Sequence, residues 1–129
     1  MTNIAFLGVA HIHTPGFIEN IKKRPDTTIT HIWDHDAERA GKRAEETGAK
    51  AVADFQTILD DPTVDAIIVC SETNRHEELV IPTAHAGKHV FVEKPLGYAS
   101  SDAYEMADAI EKAGVLFSTG YFMYHVLPF

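Results

Sequence analysis

Short apolar segments alternate with longer amphipathic segments along the chain, and this alternation restricts the fold more than any other feature of the sequence. A strand–helix–strand repeat requires a parallel sheet with right-handed crossovers. We therefore predict an α/β fold of the Rossmann type, a doubly wound parallel sheet of about six strands in the order 3-2-1-4-5-6. Strands are predicted at 3–8, 28–33, 51–53, 64–69, 88–93 and 115–120, and helices at 14–23, 36–48, 55–59, 76–87 and 100–114.

Residue types at the segment ends predict how the helices begin. Thr14 and Pro15 are typical of the N-cap and the first residue of a helix. Asp36 and Ser100 are suitable N-caps for two later helices, because their side chains can accept hydrogen bonds from free backbone amides. The run at 64–69 has no polar alternation, which predicts a strand covered on both faces.

Composition excludes several classes of function. The 129 residues suit a single globular domain, and the formal net charge of −8 argues against nucleic acid or an anionic membrane as a main partner. No apolar run is long enough to span a bilayer, and the N-terminus lacks the basic region of a signal peptide. Cys70 is the only cysteine, which favours a reducing compartment and a cytoplasmic location.

The first predicted strand leads into residues 7–15, which read LGVAHIHTP and occupy the place of a glycine-rich phosphate loop. In the pattern G-x-G-x-x-G, the glycines allow a tight turn, a close approach of the pyrophosphate and close packing of helix on strand. Gly8 matches the first glycine, whereas Ala10 and His13 replace the other two. By itself the stretch is compatible with a divergent dinucleotide loop or with an ordinary strand-to-helix turn.

Asp34 follows the second predicted strand, where a dinucleotide fold places an acid that accepts hydrogen bonds from the adenosine ribose. A carboxylate at this point repels a 2′-phosphate, so the residue favours NAD over NADP. The alternative is that Asp34 caps the next helix in competition with Asp36.

Two further groups of polar residues follow predicted strands. Residues 71–76 read SETNRH and open a helix, so they suit contacts to a pyrophosphate or a ribose, or simple capping. His11 and His13 have the spacing of an H-x-H metal pair, with His35 or His76 as a distant third ligand. We expect no metal site, because such histidines more often line a polar crevice.

Residues 64–96 read VDAIIVCSETNRHEELVIPTAHAGKHVFVEKPL, and this stretch resembles the glucose-fructose oxidoreductase and inositol dehydrogenase family, Gfo/Idh/MocA. The family pattern is roughly VDAV-IATPNHLH-helix-AGKHV-VEKP, and the resemblance extends over the whole chain as the family's N-terminal cofactor domain. It implies that Lys94 lies beside the nicotinamide and assists proton transfer as a catalytic residue. Glu93 and Pro95 would position it, with a Lys94–Pro95 bond that is often cis.

The same alignment shows departures from the family pattern. Ser71 stands at the usual threonine and His76 at the second histidine, whereas Glu72, Thr73 and Asn74 replace proline, asparagine and the first histidine. An asparagine contact to the cofactor would therefore move to Asn74 or be lost. The predicted cofactor-binding residues are Gly8, Ala10, His11, Ile12, His13, Asp34, His35, Ser71, Thr73, Asn74, His76, Glu93, Lys94 and Pro95.

The resemblance also implies a longer protein. Residues 1–120 would form the dinucleotide-binding domain, and 121–129 would begin the connection to a C-terminal substrate domain that is absent from this chain. The complete protein would act by hydride transfer on a sugar, polyol or related small molecule and would form a homo-oligomer, whereas this chain alone would be inactive. A non-catalytic nucleotide-sensing module and a Rossmann-type methyltransferase are the alternatives.

Overall fold

The structure, a computed structural model, describes residues 1–97 and 99–120, and within these residues the backbone forms six parallel strands and five α-helices. The sheet order is β3-β2-β1-β4-β5-β6, which confirms the predicted topology. Predicted and observed boundaries agree within two residues. The strands are β1 Thr2–Leu7, β2 Thr27–Trp33, β3 Lys50–Ala51, β4 Ala66–Val69, β5 His89–Val92 and β6 Phe117–Thr119, and the helices are α1 Thr14–Lys22, α2 Ala37–Thr47, α3 Gln56–Leu59, α4 His76–His85 and α5 Ser100–Ala113.

The helices divide between the two faces of the sheet. One face carries α3, α4 and α5 over a core that includes Leu7, Ile67 and Val92. The other face carries α1 and α2 over a smaller core around Phe6 and Ile32. Alternate residues of each strand point to opposite faces, so β1, β2 and β4 contribute to both cores. No helix among the described residues is long and apolar enough to cross a membrane.

The prediction that β4 is covered on both faces is only half right. Ile67 and Val69 are buried against α4 and α5, but Ile68 on the other face is only half-buried. It lines an open apolar groove of about 360 Å³ together with Phe17 and Phe91. α1 packs near β1 and β2, so within the described residues β4, β5 and β6 are less completely covered on this face.

Two predicted N-caps are wrong by one residue. His13, not Thr14, is the N-cap of α1, because the chain already turns when the Thr14 amide donates to the His11 carbonyl at 3.0 Å. Ala99, not Ser100, is the N-cap of α5. There the Asp102 carboxylate accepts from the Ala99 amide at 2.9 Å, so the first turn is tied by a side chain inside the helix.

The reversal of strand order lies between β1 and β4, because β2 lies on one side of β1 and β4 on the other. The connections that follow these strands lead to opposite faces of the sheet and leave a crevice beyond their carboxyl ends. The segments after β1, β2, β4 and β5 all reach this edge. The candidate site is therefore built from residues that are far apart in the sequence.

Candidate functional site

The turn after β1 requires a glycine. Gly8 has a φ of +87°, and a Cβ built on it would lie 2.4 Å from the Cβ of Ser71. Its amide donates to the Trp33 carbonyl at 2.7 Å, and its carbonyl accepts from the Cys70 amide at 3.2 Å. Gly8 therefore joins the ends of β1, β2 and β4 at a point where no side chain fits.

The loop after Gly8 leaves two backbone donors available. The Val9 amide donates to Asp34, the His11 amide to the Cys70 carbonyl at 2.9 Å, and the His13 amide to the His11 ring at 3.1 Å. Among the described residues, the amides of Ala10 and Ile12 make no hydrogen bond. Ala10 does not have a positive φ, so its methyl group is tolerated where the phosphate-loop pattern has a glycine.

Asp34 follows β2, and its side chain is completely buried. The carboxylate accepts four hydrogen bonds, from the amides of Val9 and Asp36 at 2.8 Å each and from Arg39 Nε and Nη2 at 3.1 and 2.7 Å. Burial raises the pKa of this carboxyl, but these bonds outweigh it and hold the pKa below its usual value. Asp34 thus ties the phosphate loop to α2, whereas Asp36 caps the helix through the amides of Glu38 and Arg39.

His35, Arg39 and Glu72 form an ionic network beside Asp34. His35 Nε2 lies 2.7 Å from Glu72 Oε2 and 3.2 Å from Arg39 Nη2. Arg39 Nη2 also lies 3.8 Å from Glu72 Oε2, which links α2 to the segment after β4. Burial raises the pKa of Glu72. The hydrogen bonds to its carboxylate and the neighbouring His35 and Arg39 lower the pKa by more, so it lies below its usual value and the group is an anion at neutral pH.

The segment after β4 brings only some of its predicted residues to the crevice. Ser71 is buried against Gly8, and half-buried Thr73 begins a single 3₁₀ turn, Thr73–Arg75. Asn74 is exposed and lines a separate surface depression with Glu77 and Pro82. The structure therefore does not place Asn74 with the other predicted cofactor residues.

His76 is buried at the start of α4 and holds two segments together. Its Nδ1 lies 2.9 Å from the Leu96 carbonyl and its Nε2 lies 3.3 Å from the Ser71 carbonyl. A neutral imidazole donates from one nitrogen only, and the shorter distance favours Nδ1 as the donor. His76 thus fixes the segment after β5 against the segment after β4.

Glu93, Lys94 and Pro95 follow β5. The Glu93 residue is completely buried, and its Oε1 accepts from the Lys94 amide at 3.1 Å. Among the described residues, Oε2 has no hydrogen-bond partner. The Lys94–Pro95 bond is cis, as the resemblance implies, and Lys94 itself is exposed.

His11 and His13 lie next to Glu93. The His11 and His13 ring centroids are 4.8 Å apart, and His13 Nδ1 lies 3.7 Å from Glu93 Oε1. His13 and Glu93 both line a pocket of about 710 Å³ between α1 and the ends of β5 and β6. Partial burial, together with neighbouring positive groups, lowers the pKa of His11 below its usual value despite the opposing effect of Glu93. His11 Nδ1 accepts from the His13 amide, so this ring nitrogen carries a lone pair.

Sequence reasoning missed the role of Arg39 and of the Val9 amide at Asp34. The position of Arg39 in the first turn of the helix after Asp34 was the available signal, because a long cation there can reach back to the strand end. Cys70, although close to the crevice, offers no nucleophile. Burial raises the pKa of its thiol to about 12.

The chain is similar to several known dehydrogenases and to solved structures of nicotinamide-binding proteins. The myo-inositol 2-dehydrogenase of Thermotoga maritima is 40% identical over 119 residues, which cover 92% of this chain and 35% of that enzyme. A scyllo-inositol 2-dehydrogenase (NADP(+)) of Bacillus subtilis is 31% identical over 117 residues, covering 90% and 35%. The crystal structure of GenD2 from gentamicin A biosynthesis in complex with NAD is similar with a TM-score of 0.87 at 26% identity, over 95% of this chain and 35% of that one.

The chain spans about a third of the length of these relatives. The model of the Gfo/Idh/MocA oxidoreductase family, described as an NAD-binding Rossmann fold, matches residues 2–121. The sheet order, the strand-end residues and this match agree with one another. The chain belongs to the Gfo/Idh/MocA oxidoreductase family and contains its NAD-binding Rossmann fold.

Proposed function

We propose that this chain is the cofactor-binding part of an oxidoreductase that transfers hydride between a nicotinamide dinucleotide and a hydroxyl-bearing small molecule of the sugar or polyol class. The observation that carries the proposal is the meeting of four strand-end segments at one crevice, namely the loop after Gly8, Asp34, Ser71 with Thr73, and Glu93 with Lys94. The relatives named as inositol dehydrogenases support the substrate class.

The phosphate loop fits a pyrophosphate. Gly8 makes the turn, and the free amides of Ala10 and Ile12 lie just before the amino-terminal end of α1. Backbone amides and a helix N-terminus together attract an anion. The pyrophosphate therefore binds against this loop, with the adenosine ribose toward Asp34 and the nicotinamide toward Lys94.

NAD is the expected cofactor rather than NADP. Asp34 and Glu72 place two carboxylates at the end of β2, where a 2′-phosphate would bring more negative charge. The Arg39 guanidinium is a cation that would favour NADP, but Asp34 already holds it at 2.7 and 3.1 Å. A ribose hydroxyl gains a bond from Asp34 only where Arg39 gives up one of these contacts.

When bound, the nicotinamide supplies the hydride acceptor or donor, and the chain's own residues orient it and handle the proton. Lys94 is exposed at the edge of the crevice on a backbone that is fixed by the bond from its amide to Glu93. Its Nζ is the group that takes up or returns the proton of the substrate hydroxyl. His11 and His13 lie beside Glu93 at the same edge of the sheet.

Calorimetric titration of the chain with NAD, NADP and S-adenosylmethionine tests cofactor binding. We expect saturable binding of NAD at or below about 1 mM, weaker binding of NADP, and none of S-adenosylmethionine. A folded chain that binds no NAD in this range would contradict the proposal. Preferential binding of S-adenosylmethionine would instead support the methyltransferase alternative.

Glu72→Gln tests why the chain should prefer NAD over NADP, and it leaves the buried Asp34 side chain unchanged. Removing one exposed negative charge near the 2′ position should improve NADP binding relative to NAD about fivefold, from Coulomb energies of about 1 kcal/mol. Glu78→Gln is the matched control, because Glu78 is also exposed but lies on α4. It should leave the ratio of NADP to NAD affinity unchanged. Equal ratios in both variants would show that Glu72 does not face the cofactor.

The substrate and the assembly of the whole protein belong to the same proposal. We infer a cytoplasmic enzyme, in keeping with the single buried cysteine, that functions as a homo-oligomer. A longer form that includes a C-terminal domain, screened with inositols and sugars for NAD reduction, tests the substrate class. Lys94→Met in that form should lower kcat with little change in NAD affinity, because the lysine acts on the proton and not on the cofactor.

A further inference from the structure

Three groups that commonly bind metal ions meet where β1 and β5 end. His11, His13 and Glu93 each offer a ligand atom, and these atoms lie within 4.8 Å of one another. Two of the groups follow β1, and the third lies 80 residues later in the sequence, counted from His13 to Glu93 (93 − 13). The sequence suggested His35 or His76 as a third ligand. In the structure His35 contacts Glu72, and His76 contacts the Leu96 carbonyl.

Glu93 supplies an observation that is independent of this grouping. The residue is completely buried, yet among the described residues its Oε2 has no hydrogen-bond partner. His13 Nδ1, at 3.7 Å from Oε1, is too far away to satisfy the carboxylate by a hydrogen bond. A buried carboxylate with an unpartnered oxygen is costly unless a cation or a donor comes to it.

We propose that His11, His13 and Glu93 form a binding site for a divalent transition-metal ion, with Zn²⁺ the expected ion. Two imidazoles and one carboxylate are a donor set that Zn²⁺ accepts, whereas Mg²⁺ and Ca²⁺ require oxygen ligands. Three protein ligands leave a coordination position free. His13 and Glu93 line the pocket of about 710 Å³, so an ion bound to them would lie at the edge of that pocket.

Small side-chain movements complete the coordination. Ligand atoms about 2.1 Å from a tetrahedral ion are about 3.4 Å from one another. His13 already lies 3.7 Å from Glu93, and its side chain is 57% exposed, so it can rotate. The His11 Nδ1 that accepts from the His13 amide can exchange this bond for the metal, because the amide lies in a loop where water replaces it.

Charge around the cluster favours a cation on balance. The Lys94 ammonium acts on His11 and opposes a second positive charge. Lys94 is exposed, so water screens its charge, whereas the Glu93 carboxylate is buried where electrostatic interactions are strong. The buried Glu93 oxygen that has no partner among the described residues therefore influences a bound cation more than the solvated Lys94 side chain does.

Titration of the metal-free, EDTA-treated chain with ZnCl₂ by calorimetry tests the site. We expect one Zn²⁺ per chain with a dissociation constant below about 10 μM, and no saturable binding of Mg²⁺. His11→Asn, His13→Asn and Glu93→Gln should each weaken Zn²⁺ binding at least tenfold. His85→Asn, at an exposed histidine at the carboxyl end of α4, is the matched control and should bind as the unaltered chain does.

Absence of saturable Zn²⁺ binding, or equal weakening in the His85 control, would overturn the proposal. Circular dichroism establishes that each variant is folded, and if Glu93→Gln does not fold, the two histidine variants decide the result. Binding that survives in both histidine variants also excludes the site. The readout uses no cofactor, so a failure to bind NAD would leave this proposal unaffected.

Discussion

Asp34 and Glu93 are both buried carboxylates at the carboxyl ends of strands in one sheet, but their surroundings differ. Asp34 accepts four hydrogen bonds and pairs with Arg39. Glu93 Oε1 accepts a hydrogen bond from the Lys94 backbone amide, whereas Oε2 has no partner among the described residues. A fully bonded carboxylate stabilises the fold, whereas an incompletely bonded one is available for a ligand. Asp34 can therefore bind a ribose only by exchanging one of its four bonds, whereas Glu93 has an oxygen to offer without such an exchange.

Asp34→Asn should produce the largest change. The amide group would point a donor at other donors, so bonds from Arg39 and from the Val9 or Asp36 amide are lost in a buried place. We expect the free energy of unfolding to fall by about 3 kcal/mol, measured by urea denaturation. Asp36→Asn is the control, because asparagine also caps helices, and it should change stability by less than about 0.5 kcal/mol. Similar losses in the two variants would contradict the central role of Asp34.

Arg39→Ala breaks the same network from the other side. The Asp34 carboxylate keeps its two amide donors but loses the guanidinium, so a loss of about 2 kcal/mol in the free energy of unfolding is expected. Arg43→Ala removes a surface arginine from the same helix, where it pairs with Glu46 at 2.8 Å, and should cost less than about 1 kcal/mol. An equal cost for both arginines would show that burial of Asp34 does not strengthen its pair.

Glu93→Gln should act in the opposite direction to Asp34→Asn. Gln keeps an oxygen for the Lys94 amide and removes the buried acidic group whose Oε2 has no partner among the described residues. We expect a gain of about 1 kcal/mol in the metal-free chain, measured by the same urea denaturation. Glu78→Gln is the surface control; it weakens only an exposed pair with Arg75 at 2.9 Å and should lower stability by less than about 0.5 kcal/mol. A loss of stability comparable to that of Asp34→Asn would mean that Glu93 is fully bonded.

Acid should remove the contribution of the ionised Asp34 carboxylate to the free energy of unfolding. This is the smallest of the four effects that we expect. The pKa of Asp34 is lower in the folded chain than in the unfolded chain. Between these two values the unfolded chain binds more protons, so stability rises with pH, and above about pH 4 the contribution is complete. The stability difference between the unaltered chain and Asp34→Asn should narrow as the pH falls below about 4. A difference that is constant with pH would show that the ionised carboxylate is not what stabilises the fold.

Much of the fold could be predicted because its signals are local. The alternation of short apolar runs with amphipathic helices predicts the parallel sheet and its order, and every element boundary lies within two residues of the prediction. The errors occurred where backbone geometry overrides residue type. His13 caps α1 without a side-chain bond, and Ala99 caps α5 because Asp102 reaches back to its amide. Capping preferences alone could not anticipate either arrangement.

The sequence predicted which positions reach the candidate site, but it did not predict which contacts their side chains make. The residues after each strand were identified, yet Asn74 faces a different depression and Arg39 was not considered. These differences depend on side-chain direction around a turn, which spacing in the sequence does not specify. The roles of the cofactor residues remain predictions that the titrations test.

The sequence by itself determined the sheet, its switch point and the need for Gly8 at the first turn, because short-range pattern and chain chirality decide these features. Only the tertiary structure decided which polar groups are satisfied. Asp34 meets the Val9 amide across 25 residues, and His13 meets Glu93 across 80 (93 − 13). Burial and hydrogen bonding depend on which segments meet in space, and so the buried carboxylate after β2 is fully bonded, whereas the one after β5 has an oxygen without a partner among the described residues.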